Sequence, residues 1–201
     1  GSVFIFAKDS TGYWEQYQEI TASDGKEFQN FGSSVIMEGE IIVVGSEEDD
    51  VNGVDQQGSV YIFIKNPITE QWEEHQKIVA SDGQEMDKFG KSVSMDNEVL
   101  LVGSPFASTN KVTELGAAYI FTKNSTGHWE EHQKIIASDG KNGDVFGVSV
   151  SVENAVIVVG SKDQGPDTTL QYGAAYIFTK NSTTGDWEEH QKIMASDFGV
   201  N

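Results

Sequence analysis

The chain has 201 residues, with 13 lysines against 32 Asp and Glu for a net charge of −19, and neither arginine nor cysteine. This composition excludes the clustered basic face that phosphate contacts need, and with it nucleic-acid binding. It also excludes disulfides, thiolate metal sites and cysteine nucleophiles, and no apolar run approaches the ~20 residues of a membrane span, so no membrane insertion is expected of this segment.

In chain order, "GSVFIF" (1–6) is an apolar strand pattern, followed by a polar stretch beginning at Trp14 and by "ASDG" (22–25). Four short segments come next: "FGSSVIM" from Phe31, "EIIVVGS" from Glu40, "GSVYIFIK" from Gly58 and "WEEHQKI" from Trp72. The same four segments return twice more, and Trp14, Trp72, Trp129 and Trp187 recur at spacings of 58, 57 and 58. A period of that length is the mark of a repeat architecture. No window shows sustained helical spacing, so the four segments read as strands and each period as one four-stranded antiparallel blade of an all-β propeller. "GSVFIF" matches the third strand of the repeat, so residues 1–6 read as repeat sequence and not as a leader.

The side-chain pattern assigns each strand a place. Phe146, Val148, Val150 and Val152 alternate with Gly147, Ser149 and Ser151, which predicts an inner strand whose small-residue face meets a neighbouring blade. Val156, Ile157, Val158 and Val159 are apolar on both faces, as expected of a strand sandwiched between sheets. "AAYIFTK" brings aromatics for packing between blades. "WEEHQKI" turns polar, which fits an outer edge where charge discourages strand addition.

These residues resemble the FG-GAP repeats of integrin-α-like β-propellers, above all their secreted microbial variants, through "FGxSV", "VVGS", "GAxYIF" and the Trp-to-"ASDG" stretch. The resemblance covers essentially the whole chain and implies a propeller acting outside the cell in adhesion, recognition or surface structure. In integrin-type repeats the turn between the first two strands often holds an Asp-rich calcium loop. Here that turn is "MEGE" at 37, "MDNE" at 95 and "VENA" at 152, so the family's calcium sites do not carry over to it. The expected division is 1–30, outer half of a blade and linker; 31–88, 89–145 and 146–197, three blades; and 198–201, the start of another. That is an arc of about three and a half blades, expected to belong to a larger propeller of about seven.

His75, His132 and His190 share one repeat position, with Tyr17 in the corresponding place, so they are expected on separate outer edges and unable to converge on one metal; His128 falls in a hairpin turn. Glu73-Glu74, Glu130-Glu131 and Glu188-Glu189 read as solvated edge charge. The recurrent Asp-Gly at Asp24, Asp82 and Asp139, echoed at Asp197, reads as a turn with side-chain capping and a positive-φ glycine. No phosphate loop or nucleophile elbow appears, so the chain is expected not to be an enzyme. Asn124 and Asn181 lie in glycosylation sequons at exposed turns between third and fourth strands, whereas Asn66 precedes Pro67 and does not.

Recognition is expected at the rim loops between second and third strands, residues 47–57, 105–115 and 162–172, which diverge while the scaffold repeats. One of them, "EEDDVNGVD", approximates the start of a calcium loop, with Glu48, Asp50, Asn52 and Asp55 as candidate ligands around Gly53. The expected function is therefore a non-catalytic extracellular or cell-surface binding, adhesion or structural module for a protein or glycan ligand. Two alternatives are an assembly subunit self-associating through open blade faces, and the non-catalytic propeller portion of a larger secreted enzyme.

Overall fold

The computed structural model describes residues 1–108, 113–164 and 172–196. An N-terminal hairpin, β1 (Val3–Lys8) and β2 (Trp14–Ile20), precedes three four-stranded antiparallel sheets. Blade 1 is β3 (Phe31–Glu38), β4 (Ile41–Ser46), β5 (Ser59–Lys65) and β6 (Trp72–Ile78). Blade 2 is β7 (Ser92–Asp96), β8 (Val99–Ser104), β9 (Ala117–Lys123) and β10 (Trp129–Ile135), and blade 3 is β11 (Phe146–Glu153), β12 (Val156–Gln164), β13 (Tyr172–Lys180) and β14 (Trp187–Ile193). Strands pair in sequence order, so the expected inner and outer strands are the two edges of each sheet. Among the described residues there is no helix long and apolar enough to cross a membrane.

The blades stack through unlike faces. The leading face of blade 2 presents Phe89, Leu100, Val102, Tyr119, Phe121 and Trp129, and these pack against the aliphatic trailing face of blade 1, Val43, Val60 and Ile62. Leu101, Ala118 and Ile120 on the trailing side of blade 2 meet Phe146, Tyr176, Phe178 and Trp187 of blade 3 in the same way. This is why the second strands carry no polar face: Val43 and Val44 are buried on opposite sides of one sheet. Phe31, Phe89 and Phe146, at or just ahead of the first strands, sit edge-on to the Tyr and Phe of the third strand of the same blade, at 5.5 and 6.1 Å in blade 1, 5.4 and 5.9 Å in blade 2, and 5.4 and 6.1 Å in blade 3. Such pairs favour a tilted ring over a stacked one.

The small-residue face of the inner strands faces the next blade, as the alternation predicts. Ser34 Oγ donates to the Gly90 carbonyl at 2.7 Å and Ser92 Oγ to the Gly147 carbonyl at 2.9 Å. Parallel bridges join Gly58 to Phe89 and Gly116 to Phe146, so the start of each third strand also touches the next inner strand.

The linker ahead of each inner strand passes through the left-handed region at Phe28 (φ 68°), Met86 (φ 67°) and Gly143 (φ 79°). Only the third copy uses the residue suited to it. Phe28 is 85% exposed, so its ring gains little there. Phe28→Gly is expected to stabilise the protein by about 1 kcal/mol, read as a higher urea midpoint at unchanged slope. An unchanged or lower midpoint would show that the strain is relieved elsewhere.

Candidate functional site

The linker that leaves one blade is latched to the outer half of the next. Asp24 Oδ1 accepts from the Tyr61 hydroxyl at 2.7 Å, Lys77 Nζ lies 2.6 Å from Asp24 Oδ2, and the ammonium stands 5.0 Å over the Tyr61 ring. The set repeats as Asp82, Tyr119 and Lys134 (2.7, 2.7 and 5.0 Å) and as Asp139, Tyr176 and Lys192 (2.7, 2.8 and 5.1 Å). Burial pushes Asp24 and Asp82 up, but the hydrogen bonds from lysine and tyrosine outweigh it and hold both carboxyls below their usual range. At Asp139 the Lys192 hydrogen bond is itself the largest cause of the same lowering.

The glutamate pairs are not idle edge charge, which corrects the expectation from sequence. Glu74, Glu131 and Glu189 each accept from the backbone N–H and hydroxyl of Ser23, Ser81 and Ser138 in the preceding linker, at 2.8 to 2.9 Å. Glu73, Glu130 and Glu188 accept from Asn66, Asn124 and Asn181 at 2.9, 2.7 and 2.8 Å. Gln18, Gln76 and Gln133 add a two-point amide contact to the backbone of Trp72, Trp129 and Trp187. The Asp-Gly turns are real turns, closed by Gly25, Gly83 and Gly140 N–H bonds at 3.2, 3.3 and 3.3 Å. Their glycines, however, are not in the positive-φ region. What glycine supplies at the later two is clearance: a Cβ at Gly83 would overlap the Gln57 side chain, and one at Gly140 the Leu115 side chain. Asp197 lies outside the described residues.

Loop 47–57 departs from this common plan. Val51 and Val54 exchange both backbone hydrogen bonds, at 3.1 and 2.9 Å, across Asn52 (φ 54°) and Gly53 (φ 87°). Both central residues are left-handed, the form of a two-residue hairpin turn for which Asn-Gly is the preferred sequence. The dipeptide thus forms a hairpin turn and not the bend of the calcium loop expected from sequence. Beneath the hairpin Asp49 is fully buried, accepting from Gln29 and Ser59 at 2.5 Å each and from Lys77 at 2.7 Å, with the Tyr61 hydroxyl oxygen 3.1 Å away. Asp24, Lys26, Gln29, Asp50 and Lys77 line a cleft of about 650 Å³ between hairpin and linker.

Blade 2 solves the same spot differently. Ala107 occupies the place of Asp49, its N–H on Ser104 as that of Asp49 is on Ser46, both at 3.2 Å. Asp87, buried and raised above its usual range by that burial, stands where blade 1 has Gln29. The buried carboxylate thus moves from loop to linker.

The four candidate calcium ligands are only partly brought together. Glu48 is turned to Lys88, 2.9 Å away. Asp50 accepts from the Gln56 N–H at 2.9 Å, which lowers its carboxyl, and its hydrogen bond with Asp55 raises Asp55 in turn. Asn52 takes the first left-handed position of the turn. Among the described residues no three His, Asp or Glu side chains are grouped to hold a metal. Of the other two rim loops, residues 109–112 and 165–171 lie outside the described residues.

The FG-GAP repeat family matches residues 14–63, 72–121 and 129–178. This chain belongs to the FG-GAP repeat family. No curated protein matches it. Each matched FG-GAP unit starts at an outer-strand Trp and ends in the third strand of the following sheet, so one sequence unit spans two blades. The aspartate latch to tyrosine is therefore internal to a unit, while Lys77 and Lys134 come from the next unit and Lys192 lies past the third.

In the FG-GAP frame the sequon asparagines have a structural task. Oδ1 of Asn124 accepts from the Thr126 and His128 N–H groups at 2.9 and 3.0 Å, and Oδ1 of Asn181 from the Thr183 N–H at 2.8 Å. Asn66, which no glycosylation rule covers, does the same for Ile68 at 2.9 Å. The histidines hold a feature that sequence reasoning missed. His75, His132 and His190 stay on separate blades, but His75 meets the non-equivalent His128, with ring centroids 4.9 Å apart.

Proposed function

We propose that this FG-GAP propeller segment is a non-catalytic module of an extracellular or cell-surface protein, engaged in adhesion or recognition, with a protein or glycan ligand held at the rim loops. The observation that carries this reading is the contrast between seams and rim. The linker latches repeat with the same atoms in all three blades, so their polar groups are consumed in holding the arc together. Loop 47–57 instead folds into a hairpin of its own over a cleft in which Lys26 and Asp50 offer charges of both signs. A glycan or a peptide with mixed charge suits such a surface. Calcium belongs to the reading at Asp50 and Asp55, whose carboxylates lie against one another and would both be neutralised by one hard cation. Glycans at Asn124 and Asn181 belong to the same reading, and each would replace the hydrogen bond that the asparagine Nδ2 now donates to Glu130 or Glu188.

The test is binding to panels of glycans and immobilised extracellular proteins, with calcium or with a chelator, for the unmodified chain and for Asp50→Asn with Asp55→Asn. Saturable binding that falls about ten-fold or more in the variant or on chelation is expected. Binding indifferent to both, or no binding to any panel member, would overturn the reading.

Self-association is a second reading, favoured by two exposed faces. Phe4 (49%), Phe6 (52%) and Trp14 (65%) are the exposed counterparts of the buried Tyr61, Phe63 and Trp72. On the trailing side of blade 3, Ile193 is exposed where blades 1 and 2 bury Ile78 and Ile135. These are the two halves of the interface already used between the blades.

A further inference from the structure

Every outer strand skips one residue in its pairing with the third strand. The skipped residues are Tyr17, His75, His132 and His190. A bulge of this kind re-aims its side chain, here out of the ladder and towards the next blade. Each of the first three reaches the residue just before the next blade's Trp. The Gln71 amide donates to the Tyr17 hydroxyl at 3.1 Å, and His132 Nε2 lies 3.6 Å from Asp186 Oδ1. Between blades 1 and 2 the same position brings two imidazoles together, His75 and His128, with ring planes at 51°. Nε2 of His75 is buried there with no hydrogen-bond partner.

We propose that His75 and His128 form a two-histidine site for a borderline divalent cation, zinc above all, with water completing the coordination. Two imidazole nitrogens about 2.1 Å from one tetrahedral zinc place their ring centroids roughly 5 Å apart, the separation found here. The orphaned Nε2 supplies one ligand. The other comes from an exposed residue whose backbone is pinned, since His128 N–H donates to Asn124 Oδ1 at 3.0 Å and its carbonyl accepts from Asn124 N–H at 2.8 Å. The His128 side chain can therefore turn to admit an ion without moving the loop. Imidazole pairs select zinc, copper or nickel over calcium and magnesium, which prefer oxygen. A chain at −19 also draws cations towards its surface. The site lies on the outer edge, apart from loop 47–57, so it stands whether or not the ligand reading does.

The repeats themselves supply the control substitutions. His75→Tyr and His128→Gln rebuild between blades 1 and 2 the Tyr17–Gln71 pair that already joins the hairpin to blade 1, so the fold tolerates them. Calorimetric titration of the unmodified chain with zinc is expected to show one saturable event. Either substitution should weaken it about ten-fold or more and the pair abolish it, while His190→Tyr leaves it unchanged and calcium does not compete. Absence of saturable zinc binding in the unmodified chain, or binding that survives in the double variant at an unchanged urea midpoint, would overturn the site.

Discussion

Gly103→Ala is expected to cost about 3 kcal/mol or more, whereas Gly160→Ala, at the same repeat position one blade later, costs less than about 1 kcal/mol. Neither glycine needs a left-handed backbone, so the difference is steric. A Cβ on Gly103 would overlap the carbonyl oxygen of Gly147 in blade 3 and the Oγ of Ser92. Backbone cannot rotate away, so the added methyl must push the seam between blades 2 and 3 apart, and that seam buries Leu101, Ile120, Phe146 and Tyr176. At Gly160 the close atom is Ser149 Oγ, the end of an exposed side chain that can turn aside. Urea denaturation of both variants decides the matter. Equal costs would mean that the inner strands are not held at carbonyl contact, and the account of why the repeat writes Gly-Ser at the end of each second strand would fail.

Lys77→Met is the second large effect. Lys77 neutralises Asp49, whose carboxylate has 1% of its side-chain surface exposed. Breaking a buried pair from one side leaves an uncompensated charge, with a cost of about 3–5 kcal/mol. Adding Asp49→Ala removes that charge and recreates the Ala107 arrangement of blade 2, so the double variant should recover at least about 1 kcal/mol relative to Lys77→Met alone. If the double variant is no more stable than the single one, Asp49 is not the charge that Lys77 answers.

The same latch gives a pH dependence of definite sign. Asp24, Asp82 and Asp139 have carboxyls lowered in the folded chain. Their contribution is therefore complete above the unfolded value of about 3.9 and is lost as pH falls through the lower folded values. Stability should fall less steeply with acid in Lys77→Met than in the unmodified chain, because the lysine that does most to hold Asp24 down, and with it part of that carboxyl's share of the pH dependence, is gone.

Strand order and the facing of alternate side chains were legible in the amino-acid sequence because a period of two within segments and a period of about 58 between them are both written in side-chain polarity. The doubly apolar second strand is covered on both sides in blade 1, where Val43 and Val44 are both buried, and the small-residue face is in close contact through Ser34 and Ser92; in blade 3 itself Val156, Ser149 and Ser151 are exposed. The family itself could be read from "FG", "VVGS" and "YIF" in register. The polarity pattern also placed "WEEHQKI" on an outer edge, but polarity says only that a side chain tolerates water, not what it holds. Glu74 caps Ser23, Gln18 grips Trp72 and Lys77 reaches Asp24, pairs separated by 51 to 54 residues. No local pattern encodes such pairs; they follow from the angle at which one twisted sheet lies on the next. Asn52-Gly53 suits both a two-residue hairpin and the start of a calcium loop, and only the pairing of Val51 with Val54 distinguishes them. His75 and His128 could not be joined from sequence at all, because their meeting depends on a bulge that skips His75 in its ladder and on the offset between two blades. Periodicity is a property of the chain and determined the blades; convergence is a property of the stacking, and only the packed structure decided it.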